Sequence, residues 1–221
     1  MCGRIGFFDD TNWKDALQAS HIQYRDDIGT LRPSYNIAPT QLMATLMNTG
    51  VYAYTHFGLI PHWAKDAKFQ PINARAESVT QKSTFKGPIR YKRCLVPVNG
   101  FYEWQRTDTG KVPYWITSSE SSLIALAGIY DEWLGPDGIV IGTAVITTVP
   151  NDVMRPIHDR MPVILQQDDW RFWLDPKVTE PDALQPMLVP YGPALMVTKV
   201  STYVNSPEHN DPKCISPSLY K

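Results

Sequence analysis

The chain has 221 residues, 43% of them hydrophobic, with 21 basic and 22 acidic side chains giving a formal net charge of −1. That length suffices for one large domain, residues 1–221, with a proper core, and the near-zero charge excludes a global attraction to nucleic acid, so any such surface must be local. Three widely spaced cysteines, Cys2, Cys94 and Cys214, argue against a disulfide framework or a cysteine-rich zinc site and fit a reducing, cytoplasmic setting. No apolar run approaches the roughly 18 residues of a membrane span, and the start does not read as a signal peptide.

Nineteen prolines and seven tryptophans predict a loop-rich fold. The chain opens Met1-Cys2-Gly3-Arg4. If Met1 is removed, which the small side chain of Cys2 favours, the new terminus carries an amine and a thiol on adjacent carbons. The amine, with a reference pKa of about 7.7–8.0, adds to an aldehyde to give an imine, and the thiol then closes a five-membered thiazolidine. On these four residues alone, the simpler reading of Cys2 is a small buried side chain.

Ile5 to Phe8 reads as a strand. Asp10 and Thr11 are candidate N-caps for a helix through Trp13, Ala16, Leu17 and Ser20. In Tyr35-Asn36-Ile37-Ala38-Pro39 the proline holds Ala38 extended. Leu42 to Met47 and Val51 to Phe57 are predicted strands joined at Asn48-Thr49-Gly50. Gly58 to Trp63 is a proline-bounded loop whose tryptophan is either a core plug, the default for a lone Trp, or a stacking platform for a base. His56 and His62 lack a third ligand of suitable spacing, so no metal site is read there. Ile72-Asn73-Ala74-Arg75-Ala76-Glu77 predicts a strand end turning into a short helix.

Between Ser78 and Tyr102 there is no acid, while Lys82, Lys86, Arg90, Lys92 and Arg93 are basic and interleave with Phe85, Pro88, Ile89 and Tyr91. This is either a solvated face or a groove that follows a phosphate backbone. Cys94 to Val98 reads as a buried strand and Asn99-Gly100 as a turn pair. In Phe101-Tyr102-Glu103-Trp104 a carboxylate stands among three aromatics. Desolvation there would raise its proton affinity and suit it to general acid work, whereas plain strand alternation would leave it in solvent.

Further strands are expected at Val112 to Thr117, Leu123 to Tyr130, Ile139 to Thr148, Val163 to Leu165 and, as a last core strand, Ala194 to Val200, so the sheet is largely antiparallel. Met154 to Pro162 is a polar loop in which Asp159 and two arginines surround His158, an imidazole placed to titrate near neutrality. Asp168 is a candidate cap for a short helix carrying Trp170, Phe172, Trp173 and Leu174, with a second short helix at Pro181 to Leu184 and a loop from Asn205. The expected class is α+β, with a barrel-like, largely antiparallel core and a few short flanking helices. Neither a glycine-rich phosphate loop nor a G-x-S-x-G elbow is present, and no metal or cofactor is expected.

Taken together and in order, Met1-Cys2-Gly3-Arg4, Tyr35 to Pro39, Gly58 to Trp63, Ile72 to Glu77, Gly100 to Trp104 and Ile157-His158-Asp159-Arg160-Met161-Pro162 resemble the SRAP family, the SOS response-associated peptidase domain proteins that process abasic sites in single-stranded DNA. The resemblance implies that Cys2, freed of Met1, forms a thiazolidine crosslink with the aldehyde of the ring-opened abasic sugar. It implies that Asn73 holds the amine and sugar while Glu103 and His158 move protons. It further implies that Arg4, Arg75 and Arg160 bind phosphates and that Trp63 and Pro39 stack beside the lesion, with Lys82 and Lys86 adding DNA contacts. The implied partner is single-stranded DNA with an abasic site, bound by a monomer without an obligate protein partner. Two departures stand out: Ser34 where relatives often carry arginine, and Ala64 where some have a second aromatic.

Three other readings bear on the same residues. An N-terminal-nucleophile amidohydrolase also begins Met-Cys-Gly, but gives Glu103 and His158 no role. A peptidase, the family's older label, would use Cys2 to cleave its own Met1 bond. A non-catalytic single-strand-binding module would need Cys2 for nothing.

Overall fold

The computed structural model describes residues 2–192 and 194–218; Met1, whose removal the aminothiol chemistry requires, lies outside them. In chain order the elements are β1 (Ile5–Phe7), α1 (Thr11–Ala19), β2 (Arg25–Asp26), β3 (Ser34–Ile37), β4 (Leu42–Met47), β5 (Val51–Phe57), β6 (Asn73–Arg75), α2 (Pro88–Tyr91), β7 (Arg93–Val98), β8 (Gly100–Thr107), β9 (Gly110–Ser118), β10 (Ile124–Gly135), β11 (Gly138–Thr148), β12 (Met161–Pro162), β13 (Ile164–Leu165), α3 (Trp170–Leu174) and β14 (Leu195–Lys199).

Strands β11, β10, β7, β4 and β5 pair in that order, and β5 returns to β11 through the parallel pairs His56–Gly142 and Phe57–Thr143, closing a five-stranded barrel. Closure removes the sheet edges that an open β-sheet exposes. Leu46, Leu95, Ala127 and Val145 are among its fully buried residues. A second sheet, in the order β14-β9-β8-β1-β3, is antiparallel. The expected α+β class, with a largely antiparallel barrel core and short helices, is the fold observed.

The two sheets meet at Asn99, the single residue between β7 and β8. Its Oδ1 accepts from the amides of Phe8 and Asp9, and its Nδ2 donates to Asp9 and Ser122 carbonyls. Asn99-Gly100, expected as a turn pair, is thus a junction between sheets. Gly100 is required by closeness, since a Cβ there would stand 2.5 Å from the Ile116 carbonyl oxygen and from the Trp115 ring.

Several local expectations are corrected. Asp10 gives no side-chain cap to α1; Asp9 Oδ1 instead accepts from the amide and hydroxyl of Thr11. Asp168 likewise caps nothing, because a 3-10 turn, Gln167–Asp169, leads directly into α3. Hydrogen-bonded turns, not a helix, follow Arg75 as far as α2. Strand β14 lies at a sheet edge with Leu195 buried and Met196 exposed, so it is not a core strand. The segment after Asn205 is tied down, Asn36 Nδ2 donating to the carbonyls of Ser206 and His209 while Cys214 is fully buried.

The basic run of 82–93 divides. Arg93 is fully buried and donates to the carbonyls of Trp173, Asp175, Ile89 and Arg90, fastening α3 and α2 to the barrel. Lys92 pairs with Asp131 and Glu132, and Arg90 with Glu180. Only Lys82 and Lys86 of this run stand in solvent as cations with no ion pair among the described residues.

Candidate active site

Cys2 precedes β1, whose pairing with β8 sets Ile5 opposite Phe101. The amide of Tyr102 donates to the Arg4 carbonyl, extending that register toward the terminus. β6 lies parallel to β11 with Asn73 opposite Val145. Asn73 Nδ2 donates to the Cys2 carbonyl at 2.9 Å and weakly to that of Val145 at 3.4 Å. Its Oδ1 is buried and accepts from none of the described residues. An acceptor in that state is costly to leave unmade.

Cys2 is 0% exposed. Burial, reinforced by the Glu103 carboxylate, pushes its thiol well above the usual range, so the resting sulfur is protonated. Glu103 itself is only 2% exposed. Strand alternation does not send it to solvent, because the 151–160 loop covers the face of β8 that Glu103 shares with Gln105, whose Nε2 donates to the Pro156 carbonyl. Burial raises the Glu103 pKa to about 7, which suits a proton donor at neutral pH.

The same loop carries His158. Asn151 Oδ1 accepts from the Met154 amide, and the amides of Ile157 and His158 both donate to the Met154 carbonyl, winding the loop into successive turns. His158 Nε2 lies 3.9 Å from Glu103 Oε2. Its Nδ1 has two neighbours of opposite kind: the Arg160 amide, which donates at 3.0 Å, and the Asp159 carboxylate at 2.9 Å, which can only accept. The neutral ring with its proton on Nε2 satisfies the first, and the imidazolium satisfies the second. Burial lowers the proton affinity of His158, with Asp159 opposing it. The neutral ring is therefore the resting form, its Nδ1 accepting from the Arg160 amide in one tautomer and donating to Asp159 in the other.

Arg160 is 9% exposed. It forms a bidentate pair with Glu77, at 2.7 and 2.9 Å, and also donates to the Thr147 carbonyl at 2.6 Å. Nη1 and Nη2 are thus engaged within the protein while Nε is buried without a partner among the described residues, so the guanidinium of the expected phosphate ligand faces Glu77 and Thr147. Arg4 is half-committed: Nη1 donates to Asn36 Oδ1 and the Val204 carbonyl, and the guanidinium lies over the Trp104 ring. It still lines the opening above Glu103 and His158. Arg75 is exposed.

Trp63 is 53% exposed, so the core-plug reading is overturned. Pro39 is half-buried. Both loops leave the same end of the β4–β5 hairpin, where the Thr40 amide donates to the Phe57 carbonyl and the Phe57 amide to that of Gln41. The Trp63 loop is pinned by residues that sequence reading missed. Asp131, buried on β10, accepts from both the amide and Nδ1 of His62 and pairs with Lys92, while Trp133 Nε1 donates to the Ala64 carbonyl. Nothing near Asp131 in sequence signals a partner 69 residues away.

Cys2, Asn73, Glu103 and His158 thus come together at the seam of the two sheets. Lys82 and Lys86 show no contact with this group. Among the described residues no cluster of His, Cys, Asp or Glu could hold a metal, and no helix is long and apolar enough to cross a membrane.

Comparison with known proteins returns one family over most of the chain. Residues 1–207 match the model of the SOS response associated peptidase (SRAP) family. The chain is 43% identical over 223 residues to the abasic site processing protein YoqW of Bacillus subtilis, an alignment covering 97% of this chain and 99% of that one. It is 31% identical to the abasic site processing protein HMCES of Xenopus tropicalis, covering 93% of this chain and 69% of the relative. A crystal structure of a protein from Bacteroides thetaiotaomicron superposes with a TM-score of 0.82 at 26% identity, covering 92% of this chain and 96% of that one.

Proposed function

Because the chain belongs to the SOS response associated peptidase (SRAP) family, we propose that it processes abasic sites in DNA, acting as a covalent trap for the lesion in single strands. With Met1 gone, the α-amine of Cys2 adds to the aldehyde carbon of the ring-opened deoxyribose. The carbinolamine loses water to become an imine, and Glu103, half-protonated near pH 7, donates the proton that lets the oxygen leave as water. The Cys2 S–H then adds across the C=N bond: sulfur bonds carbon, the proton ends on nitrogen, and the thiazolidine closes. One water is released overall. Because burial opposes ionisation of the resting sulfur and the thiolate is the nucleophilic form, the S–H proton leaves for the imine nitrogen as the C–S bond forms.

His158 exchanges protons with Glu103 and is reset by its two alternative partners at Nδ1. The buried Oδ1 of Asn73 is an acceptor for the amine's N–H, and its amide holds the Cys2 carbonyl. Arg4 and Arg75 engage flanking phosphates, with Lys82 and Lys86 as outer contacts, and Trp63 with Pro39 stacks on neighbouring bases at about 1–3 kcal/mol per base. Arg160 positions His158 rather than touching DNA. Cleavage of the Met1–Cys2 bond by the same thiol would make the chain its own processing peptidase.

The observation that carries this reading is the pairing of buried Glu103 with half-buried His158 beside a Cys2 whose carbonyl is held by Asn73. An amidohydrolase of the N-terminal-nucleophile kind has no work for that pair. Intact mass of the purified protein, alone and with an abasic single-stranded oligonucleotide, tests it. The expected masses are the chain without methionine and that chain plus the DNA less one water. A protein that retains Met1 yet traps DNA, or an equally stable complex from Cys2→Ala, would overturn it.

A further inference from the structure

Two surface depressions flank His158 and share Trp104, Arg106 and His158 in their walls. One, of about 390 Å³, is completed by Arg4, Glu103, Lys111 and Asn205. The other, of about 590 Å³, runs on along Gln105, Arg155 and Pro156. They form a continuous trough that leaves the Glu103–His158 pair along the β8–β9 hairpin.

Two cations of that hairpin are used by nothing already described. Arg106 and Lys111 are cross-strand partners in the β8–β9 register, both exposed, and neither side chain has an ion-pair or hydrogen-bond partner among the described residues. Directly opposite residues on an antiparallel pair have Cβ atoms about 4.5–5.5 Å apart, so two like charges there repel unless an anion lies between them. The ring of Trp104, two steps back along β8, is fixed by Asn205 Oδ1 at 2.8 Å and by the Arg4 guanidinium over it. This gives the trough a rigid wall. Arg155 is engaged by Asp152, and Asp159 is a solvent-exposed acid at the far side of His158. Apart from Arg4 at its lesion end, the uncompensated positive charge of the trough therefore resides at Arg106 and Lys111.

We propose that Arg106 and Lys111 form a phosphate clamp that carries the DNA strand out of the lesion site on one side only, along the β8–β9 hairpin. The inference rests on the function proposed above and adds a track that the run at 82–93 does not supply. The ligand is a phosphodiester backbone, bound without reading sequence.

The test uses the native protein and Arg106→Gln/Lys111→Gln, both sites being exposed enough to leave folding intact. Arg106 is also a minor influence lowering the proton affinity of His158, after burial. Noncovalent affinity rather than rate is therefore read, with single-stranded oligonucleotides carrying the ring-closed tetrahydrofuran analogue at either the 5′ or the 3′ end. Because the variant neutralises two fewer phosphates, the slope of log K against log salt should fall by about 1.4 in magnitude, and for only one of the two oligonucleotides. An unchanged slope on both, or an equal loss on both, overturns the clamp while a normal crosslink to an aldehyde-bearing abasic strand leaves the proposed function standing. Failure of the native protein to crosslink that strand overturns both.

Discussion

The Oε2 atom of Glu103 and the Nε2 atom of His158 are 3.9 Å apart, and burial drives their proton affinities in opposite directions relative to solvent. The carboxyl is raised to about 7 and the imidazole is lowered, so near neutrality the acid is about half protonated while the imidazole is neutral. Pairs with displaced proton affinities of this sort divide acid and base roles between two side chains.

Glu103 makes the folded state sensitive to pH. Its folded pKa of about 7 lies above the ordinary value of 4.5, so the buried neutral carboxyl contributes stability in full below about pH 4.5. That contribution is lost as pH rises through 7. The difference is on the order of 3 kcal/mol, or roughly 6–12 °C in Tm for a chain of this size. Thermal melts of Glu103→Gln should therefore gain on the native protein between pH 5 and 8.5 by about that span. Parallel curves for the two proteins would mean that Glu103 ionises like a surface carboxylate.

The rate of crosslinking should show the same group from the other side. As pH rises above about 7, Glu103 loses the proton it donates, and the native rate at saturating abasic DNA should decline. Glu103→Gln should lack that decline and run slower by a factor on the order of 10². Single-turnover rates on denaturing gels across pH 5.5–9 measure both, and an unchanged alkaline limb in the variant assigns the titration elsewhere.

Arg160 offers a sharper division between two roles. If it positions His158, releasing it by Glu77→Gln loosens the loop, and the crosslinking rate at saturating DNA falls several-fold while affinity for a tetrahydrofuran-bearing strand stays unchanged. A direct phosphate ligand would behave oppositely, since freeing its guanidinium would tighten binding. The present pairing, in which the Arg160 guanidinium holds the Glu77 carboxyl below the usual range, predicts the first result.

How far these relationships could be read from sequence depends on whether their cause is local. Strands β4 and β5 have the predicted bounds because Gly50, at φ +77, closes the turn that their apolar runs imply. Barrel closure by β5 on β11 is invisible locally, being a parallel pairing between segments about 90 residues apart. Arg93 looked like one more cation in a basic run, yet its charge is absorbed by four carbonyls from two helices and their flanks. Arg160 and Glu77 stood in two recognisable motifs, but nothing in either motif says they bind each other across 83 positions. Cys2, Asn73, Glu103 and His158 were legible together only as an ordered set of motifs, since each alone has an ordinary structural explanation.

The Trp63 loop depends on a glycine in the neighbouring strand β11. Gly142 on β11 sits so close to the loop that a Cβ would collide with the Gly58 carbonyl oxygen and stand 2.9 Å from the Ile60 amide nitrogen. Gly58 holds φ at +142 and donates to the Thr143 carbonyl, so it cannot yield without breaking the β5–β11 closure. Gly142→Ala must therefore displace either the loop or the barrel seam, at a cost of about 1–3 kcal/mol. If the loop moves, Trp63 is misaimed while Cys2, Asn73, Glu103 and His158 keep their places. Crosslinking of a long abasic strand should then weaken several-fold in half-saturating concentration, with little change for deoxyribose 5-phosphate, which has no neighbouring base to stack. Equal losses on both substrates would locate the damage in the barrel instead.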